Sequence, residues 1–146
     1  MKISTRGRYA LRMLTDIAES QQEGYVSLKD ISERQLISKK YLEQIVPSLV
    51  SAGFLSAGRG HMGGYKLALD TSRITVADVL KVTEGSLAPV SCLEGEVNDC
   101  PRAKECDTLF VWQGLMEVIE DYLENITIRD IVNRKKRKKQ DDYVLL

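Results

Sequence analysis

Apolar residues recur at helical spacing in the first third of the chain. From Ser4 up to the polar stretch "SQQEG" this spacing predicts a first helix, whose apolar positions are Tyr9, Leu11, Met13, Leu14, Ile17 and Ala18. A second, short helix is predicted over "SLKDISERQ", where Ser27 is the N-cap and Asp30 occupies the capping-box position. The first 35 residues therefore predict two helices.

The next stretch, "ISKKYLEQIVPSLVSAGF", has the same helical period. Ser38 can cap this third helix and Gly53 can end it. Pro47 lies inside the pattern, where its missing N–H and its ring should kink the helix or weaken the last turn. The apolar stripe is Leu42, Ile45, Val46 and Leu49. Only "LIS" joins the second and third helices, which is the arrangement of a helix-turn-helix.

A glycine-rich segment follows the third helix. Two apolar segments, 54–57 and 65–69, flank a loop with four glycines in seven residues. This pattern predicts a β-hairpin, the wing that accompanies some helix-turn-helix domains. Arg59 and His61 would stand on this slim projection, because glycine tolerates positive φ and lets a backbone approach a ligand closely.

The second half of the chain predicts a short helix, a loop and a long helix. Thr75 opens an S/T-x-x-D cap before a helix that ends at Gly85, and residues 86–105 have no clean period, which predicts an ordered loop. A long helix is predicted from Thr108 to Asn125. Its apolar positions spread over more surface than one small domain can cover. A second copy of the same helix, in a homodimer, is the simplest cover.

The chain ends in a third cap and a basic run. Thr127 and Asp130 start a brief helix, and "RKKRKKQDDYVLL" is predicted to be a flexible basic tail. Charge is distributed unevenly: residues 1–66 carry 10 Lys and Arg against 6 Asp and Glu, whereas residues 67–133 carry 5 against 13. The basic amino-terminal part suits a polyanionic partner.

The chain contains three cysteines, all within "CLEGEVNDCPRAKEC". It has no apolar run long enough for a membrane span or a signal peptide, so we place the protein in the cytosol, where thiols stay reduced. Three clustered thiols there favour metal or redox chemistry over a disulfide framework. Cys92, Cys100 and Cys106 are therefore candidate metal ligands.

Four motifs in order resemble one family of winged-helix repressors, which includes the iron–sulfur regulator IscR, the cysteine-metabolism regulator CymR and the nitric-oxide sensor NsrR. They are "MKISTRGRYALRML", "SLKDISERQLISKKYLEQIV", "AGFLSAGRGHMGGYKLA" and "ITVADVLKVTEGSLAPVSC". The resemblance extends to about Asn133 and is closest to IscR-type regulators. It implies a homodimer of winged-helix domains, joined through the long helix and bound to a palindromic double-stranded DNA operator.

Several exposed polar positions are candidates for DNA contacts on this interpretation. Lys39, Lys40 and Tyr41 can reach phosphates. Gln44 can bond an adenine edge, and Glu43 can accept from cytosine N4. Arg59 has the charge and reach for a narrow minor groove, and His61 would face DNA beside it. Arg6 and Arg8, at the start of the first helix, are expected to clamp phosphates.

The resemblance also implies an iron–sulfur cluster on the three cysteines, with 2Fe-2S favoured. In the IscR branch a histidine completes the ligand set, but Leu109 stands at that position here; in the NsrR branch a carboxylate of the partner subunit does so, but this chain has Arg8. Asp107, next to Cys106, is our first candidate for the fourth ligand. The alternatives are Glu96, Asp99, Glu105, water or a small thiol, and zinc or a metal-free thiol switch stays open.

We therefore predict a mainly α fold with a small β-hairpin wing, a winged helix-turn-helix plus a long dimerisation helix. The units would be a DNA-binding domain (1–84), a cysteine-containing sensor loop (85–106), the dimerisation helix with the short helix after it (107–133) and the basic tail (134–146). The predicted function is a DNA-binding transcription repressor that senses iron–sulfur cluster or redox status through the three cysteines. It is predicted to be neither an enzyme nor a membrane protein.

Three other functions stay open. A CymR-like regulator would have no cluster and would respond through a partner enzyme of cysteine metabolism, and a cluster-assembly enzyme is another candidate partner. A small metal or redox enzyme is disfavoured because no C-x-x-C motif or nucleophile–base pair occurs. A protein-interaction module would use "RKKRKK" as an electrostatic tether.

Overall fold

The computed structural model describes residues 1–20, 24–60 and 63–144. Within these residues the chain forms six α-helices and one two-stranded antiparallel sheet, which confirms the predicted fold class. None of these helices combines the length and the apolar character of a bilayer span. The elements are α1 (Thr5–Ser20), α2 (Leu28–Gln35), α3 (Lys39–Ser51), β1 (Leu55–Gly58), β2 (Gly64–Leu67), α4 (Val76–Glu84), α5 (Leu109–Glu124) and α6 (Ile128–Val144).

Side chains cap the helices where the sequence places them. The Ser38 hydroxyl accepts a hydrogen bond from the backbone N–H of Tyr41 at the start of α3. Thr75 and Asp78 form a reciprocal capping box at the start of α4. Leu36, between α2 and α3, adopts a left-handed conformation with φ 55°, which makes the tight turn of the helix-turn-helix. α3 continues through Pro47 to Ser51, so the last turn of this helix forms.

α1 lies at the centre of the fold and packs against α2, α3, α4, α6 and β2. A fully buried aliphatic side chain contributes about 1.5 to 3 kcal/mol, so this shared core joins α3 and the hairpin to one support. The buried apolar residues of the main core are Ala10, Met13, Leu14, Ile17, Val26, Ile31, Ile37, Leu42, Ile45, Val46, Leu49, Phe54, Leu55, Leu67, Ile74, Val79, Ile128 and Val132.

The two strands form the predicted hairpin. β1 and β2 pair in register from Leu55 opposite Leu67 to Gly58 opposite Gly64. Val26, two residues before α2, extends the sheet, because Val26 and Tyr65 exchange two backbone hydrogen bonds of 2.8 Å. β2 is therefore paired along both of its edges, with β1 on one edge and with the segment that leads into α2 on the other. His61 lies outside the described residues.

α5 confirms the long helix predicted from Thr108 to Asn125 and has no buried residue. One side, with Ile119 and Leu123, packs against a second apolar cluster that contains Val76 and Leu80 of α4. The other side leaves large apolar residues in solvent. Phe110, Val118 and Tyr122 keep 72%, 66% and 66% of their accessible surface, and Val111 and Leu115 are also exposed.

The last helix is longer than the sequence predicted. In place of a brief helix followed by a flexible tail from residue 134, α6 runs without interruption from Ile128 to Val144. Ile128 and Val132 are buried in the core, and Lys135 Nζ lies 3.0 Å from a carboxylate oxygen of Glu19. The predicted length is therefore wrong, because α1 anchors the first turns of α6 and Lys and Arg then continue the helix favourably.

Candidate nucleic-acid interface and cysteine loop

The start of α3 presents polar side chains to solvent, while the opposite side of the helix is buried. Lys39, Lys40, Glu43 and Gln44 are exposed, as a groove-reading helix requires. The opposite side of α3 is held in the core by Leu42, Ile45, Val46 and Leu49. The helix therefore projects these four side chains from a fixed position.

Tyr41 is the exception among the predicted contacts of α3. It is half-buried, and its ring meets the ring of Tyr9 edge to face, with centroids 5.4 Å apart. The Arg12 guanidinium lies over the other ring, 5.1 Å from the centroid of Tyr9. Tyr9 was predicted only as an apolar position of the first helix, and Arg12 was not singled out, although their i, i+3 spacing on α1 places them on one side of the helix. Tyr41 thus helps to join α3 to α1, and its contact with phosphate stays a prediction.

The two arginines at the start of α1 are both exposed, and each has a hydrogen-bond partner. Arg6 Nη2 donates to the Ser48 hydroxyl at 3.2 Å, which links α1 to the second half of α3. Arg8 Nη2 donates to the Thr5 hydroxyl at 3.0 Å, within the same turn. The Arg6 guanidinium is therefore held against α3, whereas the Arg8 bond lies within α1, and the phosphate contacts of both residues stay predictions.

Glu84 anchors the amino end of α1, and the sequence analysis missed this residue. Its Oε1 accepts from the backbone N–H of Ser4 at 3.1 Å and from the Ser4 hydroxyl at 2.5 Å. Gly7 makes room for the carboxylate, because a Cβ at this position would collide with Glu84 Oε1 and lie 3.0 Å from Leu80. The last residue of α4, immediately before the cysteine-containing segment, is thereby joined to the helix that carries Arg6 and Arg8.

A buried carboxylate sets the position of α2. Asp16 on α1 is 4% exposed, and its Oδ1 lies 2.7 Å from Arg34 Nη2. Gln35 Nε2 donates to Asp16 Oδ2 at 2.9 Å. The ion pair with Arg34 and the hydrogen bond from Gln35 compensate the cost of burying the carboxylate, and they hold the end of α2 on α1.

On the wing, Arg59 is exposed directly after β1. The neighbouring cation Lys66 lies over the ring of Tyr25, 4.8 Å from its centroid. Tyr25 and Lys66 therefore brace the hairpin beside Arg59, and the sequence analysis missed both. Arg59 and the start of α3 project from elements that share one core, so the structure brings them together on one support.

The cysteine loop, residues 86–108, contains two short 3-10 turns, Ser91–Leu93 and Ala103–Glu105. Cys92 and Cys100 are partly buried, and Cys106 and Asp107 are exposed. Three thiols are the donor type that iron–sulfur clusters and zinc prefer. Across residues 1–20, 24–60 and 63–144, however, no three His, Cys, Asp or Glu side chains are grouped so that they could hold a metal ion. The donor chemistry fits a cluster, whereas the arrangement does not gather the ligands.

Two further features mark this loop. A hydrogen bond with the Thr108 hydroxyl, and then the backbone N–H of Thr108, lower the pKa of the exposed Cys106 thiol and favour its thiolate. Asn98 Oδ1 accepts from the backbone N–H of Cys100 at 3.0 Å, while Asn98 Nδ2 is buried without a hydrogen-bond partner in the described structure. A buried donor without an acceptor is costly, so this segment is less completely satisfied than the core.

Comparison with known proteins agrees with this geometry. The chain is 39% identical over 135 residues to the HTH-type transcriptional regulator IscR of Serratia proteamaculans, covering 92% of this chain and 81% of the relative. The structure of CymR, the global cysteine regulator of B. subtilis, superimposes with a TM-score of 0.75 at 34% identity, covering 92% and 98% of the two chains. T. potens IscR superimposes with a TM-score of 0.70 at 36% identity, covering 92% and 88%.

These relatives are winged-helix transcription regulators rather than enzymes, and the two solved structures each superimpose over 92% of this chain. A family model described as an iron-dependent transcriptional regulator matches residues 3–134, almost the whole chain. The chain therefore belongs to the Rrf2 family of transcriptional regulators.

Proposed function

We propose that this transcription regulator is a cytosolic repressor that binds a palindromic DNA operator as a homodimer. The observation that carries the proposal is the common core under α3 and the hairpin, from which Lys39, Lys40 and Arg59 project into solvent. In this proposal α3 enters the major groove and the wing follows the adjacent minor groove. A bound repressor of this kind would occlude the promoter.

The contacts divide into two kinds. Lys39 and Lys40 bind phosphates at the start of α3, and Arg6 and Arg8 bind phosphates at the start of α1; these contacts position the protein without selecting sequence. Gln44 and Glu43 are exposed further along α3 and supply the base-edge contacts to adenine and to cytosine. Arg59 selects a narrow minor groove. Tyr41 is proposed to contact a phosphate, and His61 is proposed to face DNA beside Arg59.

Charge reversal at both elements tests this proposal. Lys40→Glu combined with Arg59→Glu is expected to lower operator affinity by about thirtyfold at 0.1 M salt, because a phosphate contact and a groove contact are both replaced by repulsion. Titration of a labelled operator measures the change. The control Arg73→Glu with Lys104→Glu alters net charge equally at exposed positions outside α3 and the wing. Equal affinity of both double variants would contradict the proposal.

α5 supports the homodimer in this proposal. Its outward side is apolar and exposed along several turns, and a second copy of α5 would remove that side from water. Twofold symmetry would then present two reading helices to the two halves of a palindrome.

We further propose that Cys92, Cys100 and Cys106 hold an iron–sulfur cluster, with 2Fe-2S the favoured type. The support is the soft donor set, the lowered pKa of Cys106 and the family description as iron-dependent. Asp107 is the proposed fourth ligand, since it adjoins Cys106 and is exposed. A bound cluster would supply a redox-sensitive link across this loop, in which the buried Asn98 Nδ2 has no hydrogen-bond partner in the described structure.

The link from Glu84 to Ser4 is the route that we propose for sensing. Residues 85–91 are all that separate Glu84 from Cys92, so a rearrangement of the loop acts first on the end of α4. Glu84 then carries the change to Ser4, two residues before Arg6. Regulation requires that the cluster bind more tightly to one arrangement of the contact between Glu84 and Ser4 than to another.

Optical spectra of anaerobically purified protein test the cluster. The wild type is expected to show visible thiolate-to-iron charge transfer and to retain iron and sulfide. A triple Cys92→Ala, Cys100→Ala, Cys106→Ala variant is expected to show neither. Asp107→Ala should change the spectrum or the cluster lifetime, whereas the neighbouring control Glu105→Ala should not. A colourless wild type after reconstitution with iron and sulfide would contradict the proposal.

The second candidate is a regulator without a cluster. The likeness to CymR and the separation of the three thiols favour it. In this case the cysteines would act as a thiol switch, and the signal would come through a partner enzyme of cysteine metabolism or cluster assembly. The spectrum described above separates the two candidates, because a thiol switch has no visible chromophore.

A further inference from the structure

The second half of α6 carries an unusual concentration of positive charge. Residues 134–139, here called the basic segment, are six consecutive lysines and arginines, and all six are exposed. Among the salt bridges of the described residues, only one involves the segment, between Lys135 and Glu19. Like charges three and four positions apart on a helix repel each other. The basic segment is therefore a helix that a polyanion would stabilise.

The basic segment starts beside the helix-turn-helix. Lys135 and Ile131 of α6 line a shallow cleft together with Arg12 and Gln35, at the junction of α1 and α2. Arg12 lies over Tyr9, and Tyr9 contacts Tyr41 in the first turn of α3. The shared cleft with Arg12, and the ring contacts of Tyr9 with Arg12 and Tyr41, therefore place Lys135 on the side of the fold that carries the start of α3.

Beyond Lys135 the basic segment continues beside the carboxyl-terminal end of α1. Lys136 and Lys139 line a second cleft with Ala18 and Glu19, near the last residues of α1. At about 1.5 Å per residue, the helix from Lys135 to Val144 adds roughly 14 Å. Arg134 and Arg137 line a third cleft, with Asn125 and Asp130, and Lys138 is exposed.

We propose that the basic segment is a second DNA-binding surface, which contacts phosphates of the duplex that flanks the operator. The inference rests on the proposed operator binding, because Lys135 shares a cleft with Arg12 and Gln35 of the helix-turn-helix region, so that duplex bound there would have its flank near α6. Duplex DNA carries one negative charge per roughly 1.7 Å of axis, a density that suits consecutive exposed cations. A membrane surface fits less well, because residues 134–142 contain no apolar side chain that could insert.

The contacts would add affinity without sequence preference, since lysine and arginine at phosphates do not distinguish bases. They would also steepen the salt dependence of binding. Asp141 and Asp142 follow the segment and limit the contact to its six cations. The same surface would hold the protein on non-operator DNA while it searches.

The test compares a short operator duplex with the same operator extended by about ten base pairs of random sequence on each side. The variant Arg134→Gln, Arg137→Gln, Lys138→Gln removes three exposed cations and keeps Lys135, whose ion pair anchors α6. We expect wild type to prefer the extended duplex by about tenfold or more, and the variant, which keeps three of the six cations, to prefer it by about threefold or less. The slope of log affinity against log salt should fall by about 2 to 3 per protomer on the extended duplex.

The control variant Arg73→Gln, Arg102→Gln, Lys104→Gln removes the same charge from other exposed positions, and it should keep the preference of wild type. Far-UV circular dichroism checks that α6 persists. Wild type that binds the two duplexes with equal affinity and equal salt slope would overturn the inference, even if the variant did not fold. Failure of wild type to distinguish the short operator from random DNA would instead overturn the proposed function.

Discussion

Glutamate at Val118 and Tyr122 together is expected to convert the protein to a monomer and to lower operator affinity by about a hundredfold or more. Both side chains are 66% exposed on the outward side of α5, and Phe110, Val111 and Leu115 of the same helix are exposed as well. In a dimer four carboxylates would have to leave water at one interface, which is prohibitively costly. A monomer then engages only one half of the palindrome and loses the gain of bivalent binding, typically 10² to 10⁴.

Analytical ultracentrifugation and operator titration measure the two effects. The variant should still fold, because neither side chain contributes to the core of the single chain. Gln113→Glu is the matched control: it adds a carboxylate to an exposed position of α5 outside the apolar surface, and it should leave a dimer with unchanged affinity. A double-glutamate variant that sediments as a dimer would remove α5 from the proposed interface.

Alanine at Gly64 is expected to lower the free energy of unfolding by about 2 to 4 kcal/mol and to displace the wing. Gly64 has φ 153°, and a Cβ there would collide with the carbonyl oxygen of Val26 and lie 2.6 Å from its carbonyl carbon. The colliding atoms belong to the backbone of Val26, so the collision is relieved only if β2 and the segment that contains Val26 move apart. The pair of hydrogen bonds between Val26 and Tyr65 would then be lost.

Gly60→Ala is the control, because it introduces backbone strain without a steric collision. Gly60 also has positive φ, at 87°, but no atom lies within 4 Å of its Cβ position, so the cost should be about 1 kcal/mol. Urea unfolding of both variants at one protein concentration gives the comparison, with concentration held constant because a dimer links stability to mass action. Equal destabilisation would mean that the approach of Val26 to Gly64 does not restrain the hairpin.

The local elements could be predicted because their causes are local. Ser38 and Thr75 cap their helices through hydrogen bonds that span three residues, and the glycines around Arg59 specify a loop between two strands. Lys39, Lys40 and Gln44 were identified from the same pattern, since a buried stripe on α3 leaves the other side exposed. Hydrophobic period and capping chemistry are sufficient for such features.

The contacts that position the interface could not be predicted, because their partners are far apart in the chain. Glu84 meets Ser4 across 80 residues, and Asp16 meets Arg34 across 18. No local pattern distinguishes these carboxylates from others on exposed helix sides. The helical start of the basic segment is a similar case, because the ion pair between Lys135 and Glu19 spans 116 residues.

For the cysteines, the sequence indicates the kind of chemistry and the structure decides the geometry. Three thiols in a short segment specify a soft, redox-active donor set wherever the loop lies. Their distance from one another depends on how the two 3-10 turns and the start of α5 are arranged, which the spacing of residues does not determine.

By itself, the sequence determined the helices, the hairpin, the polar side of α3 and the thiol chemistry, because periodicity, caps and donor type act over a few residues. Only the tertiary structure decided that α1 is the central support, that Glu84 joins it to the cysteine loop, and that α6 continues as a helix beside it. The physical reason is that burial and ion pairing between distant segments depend on the folded path of the chain, whereas local propensity does not.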